Sequence, residues 1–208
     1  MNIEKILLIG PQGSGKGTVG KKLSEYLHIP IISVGEMLRN LPEDHPRKKE
    51  VDDQLESGVL VSENVVVELL KEETSKESFK NGFIFDGWGR SMDNLRAYNP
   101  GFSKVIYLSI PEDESVRRLV SRRTCEKCGA VFNVISVSPI VPGVCDFCGG
   151  KLVQRDDDTE GAIKKRLEIF KSETQEAIKY FKEKGSLVEI DATGTPDEVF
   201  ELVKKALE

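Results

Sequence analysis

Short, continuously apolar runs alternate along this chain with longer stretches of helical periodicity. Ile6-Leu7-Leu8-Ile9, Phe83-Ile84-Phe85 and Val105-Ile106-Tyr107-Leu108 predict strands buried on both faces, and Pro30-Ile31-Ile32 and Leu187-Val188-Glu189-Ile190 read as weaker strands. Lys16 to Leu27 and Ser62 to Lys71 predict helices, the second with a serine cap. Thr195-Pro196-Asp197-Glu198 opens another helix with a capping box and proline at the first helical position. This alternation predicts an α/β fold in three layers, a parallel sheet covered on both sides.

Two segments break the pattern. Ser33 to Val61 is helical in period, interrupted at Leu41-Pro42-Glu43-Asp44-His45-Pro46, and reads as a helical excursion from the sheet. Thr124 to Asp158 concentrates glycine, proline and cysteine and offers only short apolar runs, so it predicts a small module closed by something other than a hydrophobic core. No internal repeat or low-complexity tract interrupts the 208 residues, a length that suits one substantial core with insertions.

The strongest chemical signal follows the first apolar run. In Gly10-Pro11-Gln12-Gly13-Ser14-Gly15-Lys16-Gly17-Thr18, glycines let backbone N–H groups turn around phosphate oxygens, the helix N-terminus adds positive potential, and Lys16 adds a point charge. An ordinary glycine-rich turn is the alternative. The usual pattern places Ser or Thr directly after the lysine, whereas here Gly17 intervenes before Thr18. After the third strand, Asp86-Gly87-Trp88-Gly89-Arg90 places an aspartate where a nucleotide fold holds Mg2+ through water; capping of the next turn is the other use for Asp86.

Composition narrows the ligand. Lys plus Arg number 30 against 35 Asp plus Glu, a net charge of −5, so no global positive field is available for nucleic acid or an anionic membrane and any anion site must be local. Arg118 and Arg122, four apart on a predicted helix, would present both guanidinium groups on one face. The four cysteines form Cys125-x2-Cys128-x16-Cys145-x2-Cys148, the spacing of a structural four-thiolate zinc or zinc-like iron site; disulfides or free thiols are the alternatives. Gly129 and Gly149 follow the second cysteine of each pair and would permit the tight turns required. His28 and His45 have no partner in a recognisable catalytic spacing, which suits an acceptor phosphate that is already ionised at neutral pH. The start of the chain lacks a signal-peptide layout or a membrane-length apolar run, so a cytoplasmic protein is expected.

Taken together these motifs resemble the adenylate kinase family in its longer form with a metal-bearing lid, over essentially the whole chain. The resemblance implies a P-loop core with a five-stranded parallel sheet (1–32, 62–123 and 159–208), a helical nucleoside-monophosphate flap (33–61) and a zinc-binding lid (124–158). It implies that Gly13, Ser14, Gly15, Lys16, Gly17 and Thr18 hold ATP phosphates, with Arg118 and Arg122 at the ATP base and phosphates. Arg39 and Arg90 would hold the acceptor phosphate, Asp86 would organise Mg2+, and Arg155 and Arg166 would bridge donor and acceptor. Val34, Val59, Leu60, Val61, Gly87 and Asn94 would line the acceptor site.

The implied reaction is reversible transfer from Mg-ATP to AMP, giving two ADP, by a monomer with a structural Zn2+. Val34, Asn94 and Gly89 stand where the family usually carries threonine, glutamine and proline, and Asp93-Asn94-Leu95 is similar to the UMP/CMP kinases, which makes UMP or CMP the alternative acceptor. A nucleotide-operated switch with a zinc interaction module is the remaining reading. The chain has no Asn-Lys-x-Asp guanine-reading motif, and the cysteine module carries few basic residues.

Overall fold

The computed structural model describes residues 4–56, 61–155 and 158–207. Strands β1 (Glu4–Ile9), β2 (Ile31–Ser33), β3 (Gly82–Asp86) and β4 (Lys104–Ser109) belong to the main sheet. A separate three-stranded sheet is formed by β5 (Arg122–Cys125), β6 (Val131–Asn133) and β7 (Leu152–Val153), and β8 (Leu187–Asp191) returns to the main sheet. The main sheet is five-stranded and parallel in the order β2-β3-β1-β4-β8.

Side-chain alternation divides the core into two clusters. Leu7, Ile9, Phe83, Phe85 and Val105 face one side with Leu69, Leu70 and Phe181. Ile6, Leu8, Ile84, Ile106 and Leu108 face the other with Val19, Leu23, Val199 and Val203. Both faces are therefore covered, as an all-parallel sheet requires.

The helices are α1 (Lys16–Leu27), α2 (Val34–Arg39), α3 (Lys48–Glu56), α4 (Glu63–Ser75), α5 (Met92–Ala97), α6 (Glu112–Val120), α7 (Glu160–Ile169), α8 (Gln175–Glu183) and α9 (Pro196–Leu207). Helix α1 approaches the sheet through Gly20, where a Cβ would sit 2.5 Å from Ile31 Cδ1. His28 ends that helix at φ 54°, and His45 meets Glu72 of α4 at 3.1 Å. The capping box of α9 forms as the sequence suggests: Thr195 N–H donates to Glu198 Oε2 at 2.8 Å, and Glu198 N–H to Thr195 Oγ1 at 3.3 Å. Helix α4 runs four residues past the predicted end, and Ser62 occupies its N-cap without a side-chain capping bond.

Arg118 and Arg122 do not share a helix, because α6 ends at Val120 and Arg122 opens β5, paired with Asn133 across β6. Ser121 Oγ donates to Arg117 O at 2.7 Å and closes the last turn, so the chain turns into the strand before the second arginine is reached. The cysteine module also differs from the expectation in having a small apolar cluster, in which Phe132 and Leu152 pack with Cys125 and Cys145. Val59 and Leu60 lie outside the described residues.

Candidate functional site

Loops at the carboxyl ends of parallel strands collect ligands where successive connections leave in opposite directions, and β1 occupies that position between β3 and β4. The glycine-rich loop follows β1 there. Gly13 and Gly15 adopt φ of 84° and 85°, left-handed values that cost other residues strain. A Cβ on Gly13 would meet Ser115 O at 3.0 Å and Leu119 at 3.3 Å, so α6 braces the loop from behind. Ser115 Oγ also donates to Gln12 O.

Lys16 folds back over its own loop. Its Nζ donates to Gly10 O at 2.7 Å and Pro11 O at 2.9 Å. Burial pushes its ammonium down from 10.5 to about 8, the Asp86 carboxylate acts in the opposite direction, and Arg90, Arg166 and Arg122 add to the depression. Those cations and Asp86 therefore share one electrostatic site with Lys16. Arg90 is likewise held below its ordinary value by desolvation and, more weakly, by Arg166, while Asp86 favours its charged form.

Asp86 ends β3 beside Leu8 of β1, and its Oδ2 lies 3.9 Å from where a Cβ on Gly17 would be. The Asp86 carboxylate and the Thr18 hydroxyl in the first turn of α1 are hard oxygen donors, the chemistry Mg2+ takes together with phosphate oxygens. The turn that follows is built on glycine at φ 92° (Gly87) and 66° (Gly89), with Trp88 buried between them and donating Nε1–H to Tyr98 O at 2.9 Å. Proline cannot adopt the Gly89 conformation, since its ring fixes φ near −65°. Arg90 thereby returns over Gly87: a Cβ there would meet Arg90 Nη2 at 3.1 Å and Val34 Cβ at 3.8 Å.

The other arginines divide by location. Arg118 donates to Glu114 Oε1 at 2.6 Å and Thr193 O at 2.9 Å, joining α6 to the turn before α9. Arg122 makes a bidentate pair with Asp158 at 2.8 and 2.5 Å, and Arg166 of α7 lies 3.9 Å from the same carboxylate. Arg155 donates to Thr124 Oγ1 at 3.0 Å within the small sheet. Arg39 stands apart on α2, exposed, with its guanidinium against Gly35. Asn94 and Val61 are half-buried, and Val34 and Val61 pack against the same apolar cluster.

Asp158 is the residue that sequence reasoning missed. It is fully buried and holds Arg122 beside Arg166. The only sequence signal is an aspartate run, Asp156-Asp157-Asp158, in which nothing distinguishes the third member.

The four cysteine sulfurs all lie within 4.8 Å of one another. Cys125 to Cys148 is 3.5 Å and Cys128 to Cys145 is 3.6 Å, too long for disulfides and close to the ~3.8 Å edge of a tetrahedron with ~2.3 Å zinc–sulfur bonds. Gly129 and Gly149 take φ of 70° and 68°. Backbone N–H groups of Cys128 and Lys127 pull the Cys125 thiol down to about 6. Cys148 also receives a backbone hydrogen bond at Gly150, yet the neighbouring sulfurs push it up to about 12. So many thiolates cannot ionise together without a cation among them, and this donor set fits a four-coordinate zinc.

A family profile described as "Adenylate kinase" matches residues 8–186. The chain is 40% identical over 192 residues to the adenylate kinase of Caldicellulosiruptor bescii, covering 88% of this chain and 89% of the relative. It is 38% identical over 212 residues to that of Thermodesulfovibrio yellowstonii, covering 98% and 99%. The adenylate kinase of Clostridium tetani is 36% identical over 210 residues, covering 97% of each chain.

Proposed function

The chain belongs to the adenylate kinase family, and from that premise we propose that it transfers the terminal phosphoryl group of Mg-ATP reversibly to AMP, giving two ADP. The observation that supports this reading is that Asp86, Arg90, Arg166 and Arg122 all act electrostatically on Lys16, with Arg122 and Arg166 meeting at the Asp158 carboxylate. Phosphoryl transfer needs positioning and neutralisation of charge spread over the phosphate oxygens, and such a set supplies both. The acceptor phosphate, with a second pKa of ~6, is already a nucleophile and requires no base.

In this reading the backbone N–H groups of Gly13, Ser14, Gly15, Lys16, Gly17 and Thr18 cradle the ATP phosphates. Lys16 Nζ exchanges its two loop carbonyls for phosphate oxygens. Arg118, tied to the loop before α9, flanks the ATP base, and Arg122 meets the ATP phosphates. Arg39 and Arg90 grip the acceptor phosphate; Arg155 and Arg166 bridge the two nucleotides. Asp86 and Thr18 would hold Mg2+, which would supply neutralisation of the phosphate charge.

The acceptor base rests against Val34, Val59, Leu60, Val61, Gly87 and Asn94. Segment 33–61 acts as an acceptor flap and 124–158 as a lid that closes to exclude water, the competing acceptor. The remainder is the core. The lid thiolates bind Zn2+ structurally, because four protein ligands leave no position for a catalytic water. Among the described residues no helix is long and apolar enough to cross a membrane.

The test is ADP formation from Mg-ATP with AMP, CMP, UMP or GMP as acceptor. AMP-dependent production of two ADP per ATP consumed is expected. Slow release of inorganic phosphate that ignores every acceptor would refute the proposal.

A further inference from the structure

We propose that Glu63 sets acceptor-base specificity by locking the Asn94 amide in one orientation, so that the site takes bases with an exocyclic amino group beside a ring-nitrogen acceptor. Adenine and cytosine have that edge; their keto counterparts do not. The inference rests on the placement of Asn94 at the acceptor base proposed above.

Asn94 is fixed at two points. Its backbone N–H donates to Ser91 Oγ, the N-cap of α5, at 3.2 Å. Its side-chain Nδ2 donates to Oε1 of Glu63, the first residue of α4, at 2.9 Å. Both residues are half-buried, and Val34 and Val61, assigned above to the same base site, are apolar side chains packed against one cluster, so of these three the amide is the one that can read a polar base edge.

An ionised carboxylate only accepts hydrogen bonds, so the amide edge turned towards Glu63 must be the NH2. Among the described residues Asn94 Oδ1 has no hydrogen-bond partner. The edge left for a ligand is therefore Oδ1 with the remaining N–H, in a fixed order. Adenine offers N6–H as donor and N1 as acceptor, and cytosine offers N4–H and N3; both match that order. Hypoxanthine and uracil present a carbonyl and a ring N–H in the reverse order. A free amide turns over to serve either kind of base. One anchored by Glu63 would have to break its carboxylate bond to do so, or set donor against donor and acceptor against acceptor.

The test uses twin substrates that differ only in this edge, AMP against IMP and CMP against UMP. With Mg-ATP, kcat/KM is measured for the wild type, Glu63→Gln, Glu63→Ala and Asn94→Ala, and AMP and IMP binding is followed by calorimetry. The wild type should prefer the amino member of each turned-over pair by at least ~10-fold. Glu63→Gln, whose amide can accept or donate, should lower the AMP/IMP ratio at least ~10-fold, mainly by improving IMP binding. Loss of general stability cannot produce that gain.

A wild-type ratio near one, or a ratio unchanged in both Glu63 variants while Asn94→Ala shifts it, overturns the locking role and leaves the placement of Asn94 standing. A ratio that also survives Asn94→Ala removes Asn94 from the acceptor base, and the placement fails with the inference.

Discussion

Lys16, the residue we propose for the ATP phosphates, opposes folding. Unfolded, its ammonium keeps its proton to about 10.5; folded, burial lowers that to about 8. The charged form is therefore destabilising below about pH 8, and this penalty fades as pH rises from about 8 to 10.5, where the unfolded chain binds the extra proton. The span corresponds to at most about 3 kcal/mol. Lys16→Met should melt no lower than the wild type at pH 7 while turnover falls at least ~100-fold. If ATP phosphates meet Lys16 as proposed, they restore its charged form, so ATP binding near pH 9 should take up a proton and weaken as pH rises, measurable by calorimetry in buffers of different ionisation enthalpy.

Asp158 has the opposite balance, because removing a buried partner strands Arg122. Asp158→Ala should lose roughly 3–5 kcal/mol in denaturant melts. It should also lower kcat more than it raises the KM for AMP, since Arg122 and Arg166 lose their common anchor. A variant with wild-type kcat would remove Asp158 from the positioning of either arginine.

At the scale of elements, the legible parts of the sequence are those where burial dictates residue type. Ile6 to Ile9 and Phe83 to Phe85 can only be central strands, and the structure extends each by a residue or two. The glycine loop was legible because its chemistry is local. The α6-to-β5 change at Ser121 was not, since Arg122 and Arg123 suit a helix as well as a strand and only pairing with β6 decides. Asp158 and Glu63 were hidden for a related reason: their partners, Arg122 and Asn94, lie 36 and 31 residues away.

Two element-level predictions follow. Gly89→Ala forces a Cβ to within 3.0 Å of Leu7 Cδ2 at a left-handed φ and should destabilise by about 1–3 kcal/mol, read from the denaturation midpoint. Chelation, or Cys128→Ser, should expose β5 to β7 to proteolysis and lower the apparent melting temperature, with metal content checked by elemental analysis. An unchanged digestion pattern in metal-free protein would argue against a structural ion.

For the whole molecule, the sheet collects the loop after β1, Asp86 at the end of β3 and the turn after β8 at its carboxyl edge, while Arg122 of β5 and Arg166 of α7 act on Lys16 from the insertion and the helix behind it. If both nucleotides meet in that space, a dinucleoside polyphosphate spanning donor and acceptor sites should bind far more tightly than ATP or AMP alone. It should also compact the molecule in solution scattering. Binding no tighter than ATP would place the two sites apart.

The Arg122–Asp158 clasp carries a further consequence for how the protein fails. Arg122 opens β5 of the small sheet and Asp158 lies just before α7, so this contact buttons the two ends of the intervening segment together. Beyond the button the excursion also ties back to the end of α6, where Asn133 Nδ2 donates to Arg118 O and Val134 N–H to Ser121 O, both at 3.0 Å, and neither bond involves β1 or β4. Metal starvation should thus leave a headless but intact body that still retains ATP weakly and has lost turnover.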